Sequence, residues 1–234
     1  MLPVTAHYDQ RMASIKSGLV NSVSLRDRSE GESKSEQTRL RILDAAAHVL
    51  SVRGYARTRL TEIADIAGLQ APAIYYYFPS RDALVGEVMH LGISLTREHV
   101  ADMLAALPAT ASATERIGAA VESHMRLVLD LSVYATASIR NAGQVPDDIR
   151  ARREVEEKLY GELWNQLLKD AREEGSLRPE LDLRASRMLV LGAMNWAAEW
   201  WNPKLGSLDS VVMTARALVL HGLSCEGDEE SNDG

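Results

Sequence analysis

Residues 61–81 read TEIADIAGLQAPAIYYYFPSR, in which small residues lead into three tyrosines and the only phenylalanine of the chain. Ile63, Ala64 and Ala67 recur at the spacing of one helical face, and Gly68 follows them as a stop signal. The residues after Gly68 resume a helical pattern with a proline near the first turn, where its missing N–H does no harm. Two short helices joined by Gly-Leu-Gln predict a helix-turn-helix.

The tyrosines belong to the second of these helices. Ile74 and Phe78 are four residues apart and share its buried face, whereas Tyr75 and Tyr76 point away from that face and Tyr77 lies near its edge. A phenol can pack along the wall of a DNA groove and donate its O–H to a phosphate oxygen. The small side chains before the tyrosines bring the backbone close to base edges. This combination predicts that the second helix enters a groove of DNA.

The rest of the chain keeps helical spacing, and no segment alternates convincingly in the manner of a strand. The pattern predicts an all-α fold of about nine helices. It predicts one helix that ends at Gly54, the two short helices, and further helices at 80–106, 114–131, 134–141, 147–174, 182–201 and 207–223. The expected organisation is a disordered extension at 1–35, a three-helix helix-turn-helix domain at 36–82, a larger helical domain at 83–224 and an acidic tail at 225–234.

Composition argues against several classes of protein. The hydrophobic fraction of 46% and the charged fraction of 25% are those of a soluble globular protein. The single cysteine, Cys225, excludes an intramolecular disulfide framework and fits a reducing cytoplasm. The longest mostly apolar run, at 188–198, is about half the length that a membrane span needs. No metalloprotease, Walker or dinucleotide motif occurs, so no catalytic residue, metal or cofactor is expected.

The net charge of −7 is unevenly distributed. Residues 1–90 hold 11 Lys or Arg and 10 Asp or Glu, a net charge of +1, whereas residues 91–234 hold 15 and 23, a net charge of −8. Residues 34–60 alone carry six basic residues against two acidic ones. A basic patch in the first part is therefore compatible with a nucleic-acid partner, despite the acidic total.

The pattern T-x-x-x-x-I-A-x-x-A-G-L-x-x-x-x-I-Y-Y-Y-F-P-S-R-D-A-L resembles the DNA-binding domain of TetR-family transcriptional repressors. The resemblance covers about residues 36–86, and the remainder is similar only in architecture. It implies a homodimer on a palindromic operator in double-stranded DNA. The residues that it places at the DNA are Thr58, Arg59, Thr61, Gln70, Ala71, Pro72, Ala73, Tyr75, Tyr76, Tyr77 and Arg81.

Two details of this surface are less regular. Arg59 stands where the family often has a Ser or Thr that caps the second helix, so either Thr58 or Thr61 is expected to cap it instead. Arg81 opens the next helix, and its guanidinium is expected to be free to bind a phosphate.

The same resemblance implies that the larger domain binds a small hydrophobic effector and pairs two chains. The last two helices would form a four-helix bundle with the partner, through Leu189, Ala193, Trp196, Val212, Ala215, Leu218 and Val219. The effector pocket would be lined by Met89, Ile93, Met103, His124, Met125, Val128, Tyr134, Tyr160, Trp164, Leu168 and Met194. Ordinary core packing is the alternative for these side chains, with His124 as a hydrogen-bonded core or boundary histidine.

The sequence NWAAEWWNP at 195–203 also resembles one branch of the family, which represses lipid and sterol catabolism and responds to acyl-CoA thioesters. The implied mechanism is a population shift. An effector among the middle helices would tilt the 80–106 helix and change the spacing of about 34–36 Å that two recognition helices need for successive major grooves. A helical protein-interaction adaptor without DNA affinity is the alternative, and DNA binding with strong salt dependence would distinguish the two.

Overall fold

The computed structural model describes residues 33–225. Most of the predicted extension and acidic tail lies outside these residues. Within the described range the chain is all-α, as predicted, and the bounds after residue 60 agree with prediction to within one residue except at α5. The nine α-helices are α1 Lys34–Arg53, α2 Leu60–Ala67, α3 Ala71–Tyr77, α4 Arg81–Ala105, α5 Ala113–Arg126, α6 Val133–Asn141, α7 Asp147–Glu173, α8 Leu183–Trp200 and α9 Leu208–Leu223.

The helices of the first 50 described residues start and stop at local signals. Ser33 caps α1 through a capping box, in which its hydroxyl accepts from the Glu36 N–H and the Glu36 carboxylate accepts from the Ser33 N–H. Ser80 caps α4, as predicted, because its hydroxyl accepts from the Ala83 N–H at 3.0 Å. Gly68 ends α2 in the left-handed conformation, at φ 68° and ψ 40°, which turns the chain into α3.

The described residues form two compact units. The first comprises the residues up to Thr96 together with Leu127–Glu156, and the second comprises Arg97–Arg126 together with the residues from Glu157 onward. The units follow packing rather than chain order, because α6 packs against α1. The predicted boundary between residues 82 and 83 remains a prediction.

The core of the first unit confirms the apolar pattern of the helix-turn-helix. Ile63, Ala64 and Ala67 of α2 are buried together with Ile74 and Phe78. They belong to one cluster that also contains Leu43, Ala47 and Leu50 of α1, and Leu69 packs against this cluster from the turn. Burial of these apolar side chains fixes the angle between the two short helices.

Polar contacts tie α6 to the end of α1 inside the same unit. The fully buried Asn141 accepts a hydrogen bond from the Tyr55 N–H at 2.7 Å and donates one to the Leu50 carbonyl at 3.2 Å. Two turns earlier on α6, the buried Tyr134 hydroxyl donates to the Asp44 carboxylate at 2.7 Å. We call this set the α1–α6 contact. It satisfies backbone groups where α1 ends, so α6 supports the helix-turn-helix from outside the motif.

A short π-helix, Leu127–Leu131, connects α5 to α6. The Ser132 N–H donates to the Leu127 carbonyl across five residues, at 2.9 Å. The pattern predicts one regular helix at 114–131, and this detail was wrong because apolar spacing does not distinguish α from π hydrogen bonding. Such π segments are rare and are often found at functional sites.

The second unit is held together around α5, α8 and α9. The Ala113 N–H at the start of α5 donates to the Glu174 carboxylate at 2.8 Å, and Arg126 at its end pairs with Asp209 at 2.8 Å. A single antiparallel bridge joins Leu177 to Ser224 beyond the end of α9. No helix within residues 33–225 is long and apolar enough to span a membrane.

Candidate nucleic-acid interface and effector site

The tyrosines of α3 lie on the side of the helix that the core leaves uncovered. Tyr75 is 57% exposed and Tyr76 is 83% exposed, whereas the preceding Ile74 is fully buried in the small core. Tyr77 is half-buried and packs edge-to-face on Tyr76, with ring centroids 5.1 Å apart. The buried face comes from the four-residue spacing of Ile74 and Phe78, so the rest of α3 is presented to solvent.

The other predicted DNA residues differ in their exposure. Gln70 and Pro72 at the start of α3 are exposed, and Ala71 and Ala73 are half-buried. Arg59 and Thr61 at the start of α2 are exposed as well. Small side chains near the first turn of α3 leave its backbone accessible, as an approach to base edges requires.

Arg57 is a further exposed cation, two residues before Arg59, and was missed by the sequence prediction. It lies in the 3-10 turn Tyr55–Arg57 before α2, and its side chain is exposed. Within the described range no ion pair engages Arg57 or Arg59, which leaves both cations available to phosphate. The sequence YARTR carried the signal, since the two arginines are two residues apart.

The structure corrects the expectation for Thr58. Its side chain is only 3% exposed, and its hydroxyl donates to the Gly54 carbonyl at 2.8 Å. Neither Thr58 nor Thr61 caps α2, whose N-cap is Arg59 without a side-chain hydrogen bond. Thr58 therefore stabilises the turn after α1, and we remove it from the candidate DNA contacts.

The guanidinium of Arg81 is not free, contrary to expectation. It donates to the Tyr55 carbonyl at 3.3 Å and the Thr58 carbonyl at 3.5 Å, and it pairs with Asp82 at 3.0 Å. Its Cζ also lies 4.4 Å from the centroid of the Tyr55 ring. Arg81 thus holds the start of α4 against the 3-10 turn, because Nη1 donates to both carbonyls while Nε and Nη2 contact the Asp82 carboxylate.

The predicted effector residues divide between the two units. Tyr134 and Met89 lie in the core cluster of the first unit, and the Tyr134 hydroxyl is used by Asp44. Val128 is buried and Ile93 half-buried in that unit, whereas Met103 of the second unit is 44% exposed. The exposure of Met103 and the hydrogen bond of Tyr134 make these two poor candidates for a pocket lining. The remaining predicted residues belong to the second unit and are buried: His124, Met125, Tyr160, Trp164, Leu168 and Met194.

Three of those side chains form a buried aromatic stack. His124 Nδ1 lies 2.8 Å from the Tyr160 hydroxyl oxygen, and the two rings are nearly parallel with centroids 6.0 Å apart. The Trp164 ring meets Tyr160 edge-on at 6.4 Å. The Asn195 side chain on α8 is close to His124, where it favours the protonated imidazole, yet Nε2 has no hydrogen-bond partner within the described range. We call His124, Tyr160, Trp164 and Asn195 the His124 cluster.

Burial controls the protonation of the cluster. It lowers the pKa of His124 to about 4, an effect that Asn195 opposes only partly, so the imidazole is neutral at pH 7. Burial also raises the pKa of the Tyr160 phenol, while the neighbouring Trp164 lowers it slightly. Asn195 was missed by the sequence prediction, although an amide within the apolar run GAMNWAA was a visible signal.

A groove of about 440 Å³ runs between α8 and α9. Its lining is mostly apolar: Met125, Ala193, Met194, Ala197, Trp200, Ser210, Val211, Thr214, Ala215, Leu218 and Val219. Two predicted effector residues, Met125 and Met194, therefore lie beside predicted dimer residues. The volume is within the range of about 300–1,000 Å³ of small-molecule sites.

The outer sides of α8 and α9 carry large apolar groups in the open. Leu189 is 74% exposed, Trp196 66% and Leu218 72%, with Met188, Trp200 and Met213 also exposed. Ala193 is exposed, and Ala215 and Val219 are half-buried. We call this surface the α8–α9 face. Val212 was predicted to belong to it but is buried at 1% exposure, because it lies one helical quarter-turn from Met213 and points into its own unit.

Two family descriptions match the chain over these features. The description "Bacterial regulatory proteins, tetR family" matches residues 42–88, and "Tetracyclin repressor-like, C-terminal domain" matches residues 110–223. The first match contains α2, α3 and the start of α4. The second contains the His124 cluster and the α8–α9 face.

Three similar proteins match this chain over almost the whole of their own length. The transcriptional repressor KstR2 of Mycobacterium tuberculosis is 27% identical over 86% of this chain and 99% of its own. The crystal structure of AibR with isovaleryl coenzyme A and operator DNA has a TM-score of 0.70 at 22% identity, covering 77% of this chain and 97% of AibR. The regulator FadR of Bacillus subtilis with stearoyl-CoA has a TM-score of 0.66 at 20% identity, covering 78% and 98%.

Proposed function

We propose that this chain, which belongs to the TetR family of bacterial transcriptional regulators, is a cytoplasmic repressor. In this proposal the protein binds operator DNA as a dimer, and a small hydrophobic effector releases the dimer from the DNA. It is a DNA-binding regulator by family. The repression, the effector class, the dimer and the individual contact residues are the proposal. The named relatives are themselves regulators, which supports a regulator rather than an adaptor.

The observation that carries the DNA-binding part is the exposure of the α3 tyrosines. Folding buries most large aromatic side chains, yet Tyr75 and Tyr76 are left mostly in solvent on a helix whose other face is fully packed. Arg57 and Arg59 add two exposed cations that form no ion pair among residues 33–225. Phenols that reach phosphate and cations that replace its counterions are the groups that a DNA backbone requires.

The observation that supports a dimer is the exposed apolar surface of the second unit. Leu189, Trp196 and Leu218 are each more than 60% exposed on the α8–α9 face. A contiguous apolar patch in water marks an interaction site, and tryptophan is enriched at the centre of protein interfaces. A second copy of the chain is the occupant that the family membership supports.

The effector class follows from the chemistry of the relatives and of this unit. AibR and FadR have been crystallised with acyl-CoA thioesters, and the second unit here combines apolar groove residues with a buried neutral polar cluster. An acyl chain needs an apolar groove, and a carbonyl group needs a neutral polar partner. We therefore propose an acyl-CoA or a related lipid catabolite.

The α1–α6 contact supports a route for the response. His124 lies on α5, the π-helix starts three residues later, and α6 begins at Val133. A change in α5 would thus pass along the chain into the helix that holds Leu50 and Tyr55. The effector shifts the population only to the extent that it binds the DNA-released form more tightly than the DNA-binding form. Changing the ratio of released to DNA-binding form from 1:99 to 99:1 needs about 10⁴-fold tighter binding to the released form.

The test uses the full chain and a fluorescent duplex selected by it from a random pool. Fluorescence anisotropy should show binding that weakens steeply with salt, and stearoyl-CoA or isovaleryl-CoA should release the duplex. Coenzyme A without an acyl group is the control. DNA binding that survives saturating concentrations of both thioesters would reject the effector class, and absence of DNA binding would favour the adaptor.

A further inference from the structure

The His124 cluster has more hydrogen-bonding capacity than its members use. His124 is 1% exposed, yet its Nε2 makes no hydrogen bond of standard geometry within the described range, although the Asn195 side chain lies close to the ring. More than nine in ten buried polar groups in proteins are paired, and an unpaired one calls for an explanation such as a bound water or ligand. Leaving such an atom unpaired destabilises the fold, so a role outside folding explains its presence.

The geometry of the cluster favours a hydrogen-bond donor at Nε2. The Tyr160 phenol remains protonated because burial raises its pKa, and its oxygen is 2.8 Å from His124 Nδ1. When the phenol donates to Nδ1, the single proton of the neutral imidazole lies on Nε2. Trp164 is beside the Tyr160 oxygen and is a donor only, which agrees with the phenol giving its own proton to the histidine.

The cluster carries no charge that would attract an ionised ligand. The shifted pKa of His124 has burial and Asn195 as its causes, and that of Tyr160 has burial and Trp164, all of them neutral. A carboxylate taken into such a site would lose its hydration without gaining a counter-ion, which is costly. A neutral carbonyl oxygen would lose far less and could accept the Nε2–H.

We propose that the Nε2–H of His124 donates a hydrogen bond to the neutral carbonyl oxygen of the effector, which in an acyl-CoA is the thioester carbonyl. His124 is then the residue that recognises the polar end of the acyl chain, Tyr160 sets its tautomer, and the Asn195 amide lies beside the same ring. The inference rests on the proposed function and adds the chemical group that the site reads.

The test compares thioesters with thioethers that lack only the carbonyl oxygen. Isothermal titration calorimetry of the full chain would use two pairs, stearoyl-CoA with S-octadecyl-CoA and isovaleryl-CoA with S-isopentyl-CoA. The wild type should bind the thioester of at least one pair about 5- to 10-fold more tightly than its thioether, the effect of one net hydrogen bond. His124→Phe keeps a flat ring but removes the donor, so it should bind both members of that pair equally.

Two control variants separate this role from packing. Tyr160→Phe removes the hydroxyl that sets the tautomer and should reduce the preference, whereas His99→Phe, the same exchange at a half-buried histidine outside the cluster, should retain it. Equal wild-type affinity for thioester and thioether, or a preference that persists in His124→Phe, would overturn the inference while the proposed effector class stands. If neither thioester binds, the effector class itself is wrong and the inference falls with it.

Discussion

At the scale of single residues, the surface around α3 divides into side chains that the fold uses and side chains that it leaves free. Thr58 and Arg81 complete hydrogen bonds to backbone carbonyls around the 3-10 turn. Tyr75 and Tyr76 are mostly exposed and contribute little to the core. Substitutions should therefore separate stability from DNA affinity along this division.

The tyrosines should affect binding alone. Tyr75→Phe should weaken binding to the selected duplex about 2- to 10-fold, the effect of one hydrogen bond, while the free energy of unfolding changes by less than about 0.5 kcal/mol. Anisotropy and urea denaturation measure the two quantities. Ile74→Ala on the buried face is the contrast, with an expected loss of about 2–5 kcal/mol of stability. Unfolding of Tyr75→Phe with normal affinity in the folded fraction would assign the phenol to the core instead.

Arg81 should affect stability. Arg81→Ala removes hydrogen bonds to two carbonyls and should lower the free energy of unfolding by about 1–2 kcal/mol, since the side chain is partly exposed and solvent replaces some of them. Arg57→Ala is the matched control: urea midpoints should not move, and the log–log salt slope of DNA binding should fall by about 1. A stable Arg81→Ala variant with a reduced salt slope, together with a destabilised Arg57→Ala variant, would contradict the structure.

The burial of His124 predicts a pH dependence of stability. Its pKa falls from 6.5 in the unfolded chain to about 4 in the fold, so the unfolded chain binds more protons in that interval. Its contribution is therefore complete above pH 6.5 and is lost as the pH falls toward 4, by about 3 kcal/mol in all. Urea denaturation between pH 7.5 and 4.5 should show this extra loss in the wild type and not in His124→Phe. Parallel curves for the two proteins would argue against a buried neutral imidazole.

At the scale of elements, the crossing of α4 and α6 leaves no room for a side chain at Gly92. A Cβ there would collide with the Tyr134 carbonyl oxygen and lie 2.6 Å from the Ser138 Cβ. The Gly92→Ala variant should lose about 1–3 kcal/mol of stability, despite the better helix propensity of alanine. Gly143→Ala, where nothing lies within 4 Å, should leave the urea midpoint almost unchanged. If Gly92→Ala leaves the free energy of unfolding unchanged, α4 and α6 are farther apart than the structure shows.

The elements also explain how far prediction from sequence could reach. Gly54, Gly68 and Ser80 act on their immediate neighbours, so helix bounds and the packed face of α3 followed from local spacing. The bond from the Tyr55 N–H to Asn141 joins residues 86 positions apart, and no local pattern specifies it. For the same reason the sequence could propose His124 as a pocket residue without its pairing to Tyr160, and it misjudged the guanidinium of Arg81.

At the scale of the whole molecule, the account requires two chains. Replacing Leu218 by Asp puts a charge on the α8–α9 face, where the side chain is 72% exposed in the single chain. Sedimentation should then show monomers, because burying an unpaired carboxylate in an interface is costly. Val155→Asp is the control, because it puts the same charge at an exposed apolar position on α7 in the first unit, and it should sediment as wild type. A Leu218→Asp variant that stays dimeric would remove this face from the interface.

The central claim is that a symmetric pair of chains places two α3 helices on one duplex, and in vitro selection from random DNA tests it most directly. The recovered sequences should contain an inverted repeat whose half-sites are about 10–10.5 base pairs apart or a multiple of that, since successive major grooves recur at this spacing. Native mass spectrometry of the recovered duplex should find an even number of chains. Recovery of sequences without a repeat, or a single chain on each duplex, would contradict the account.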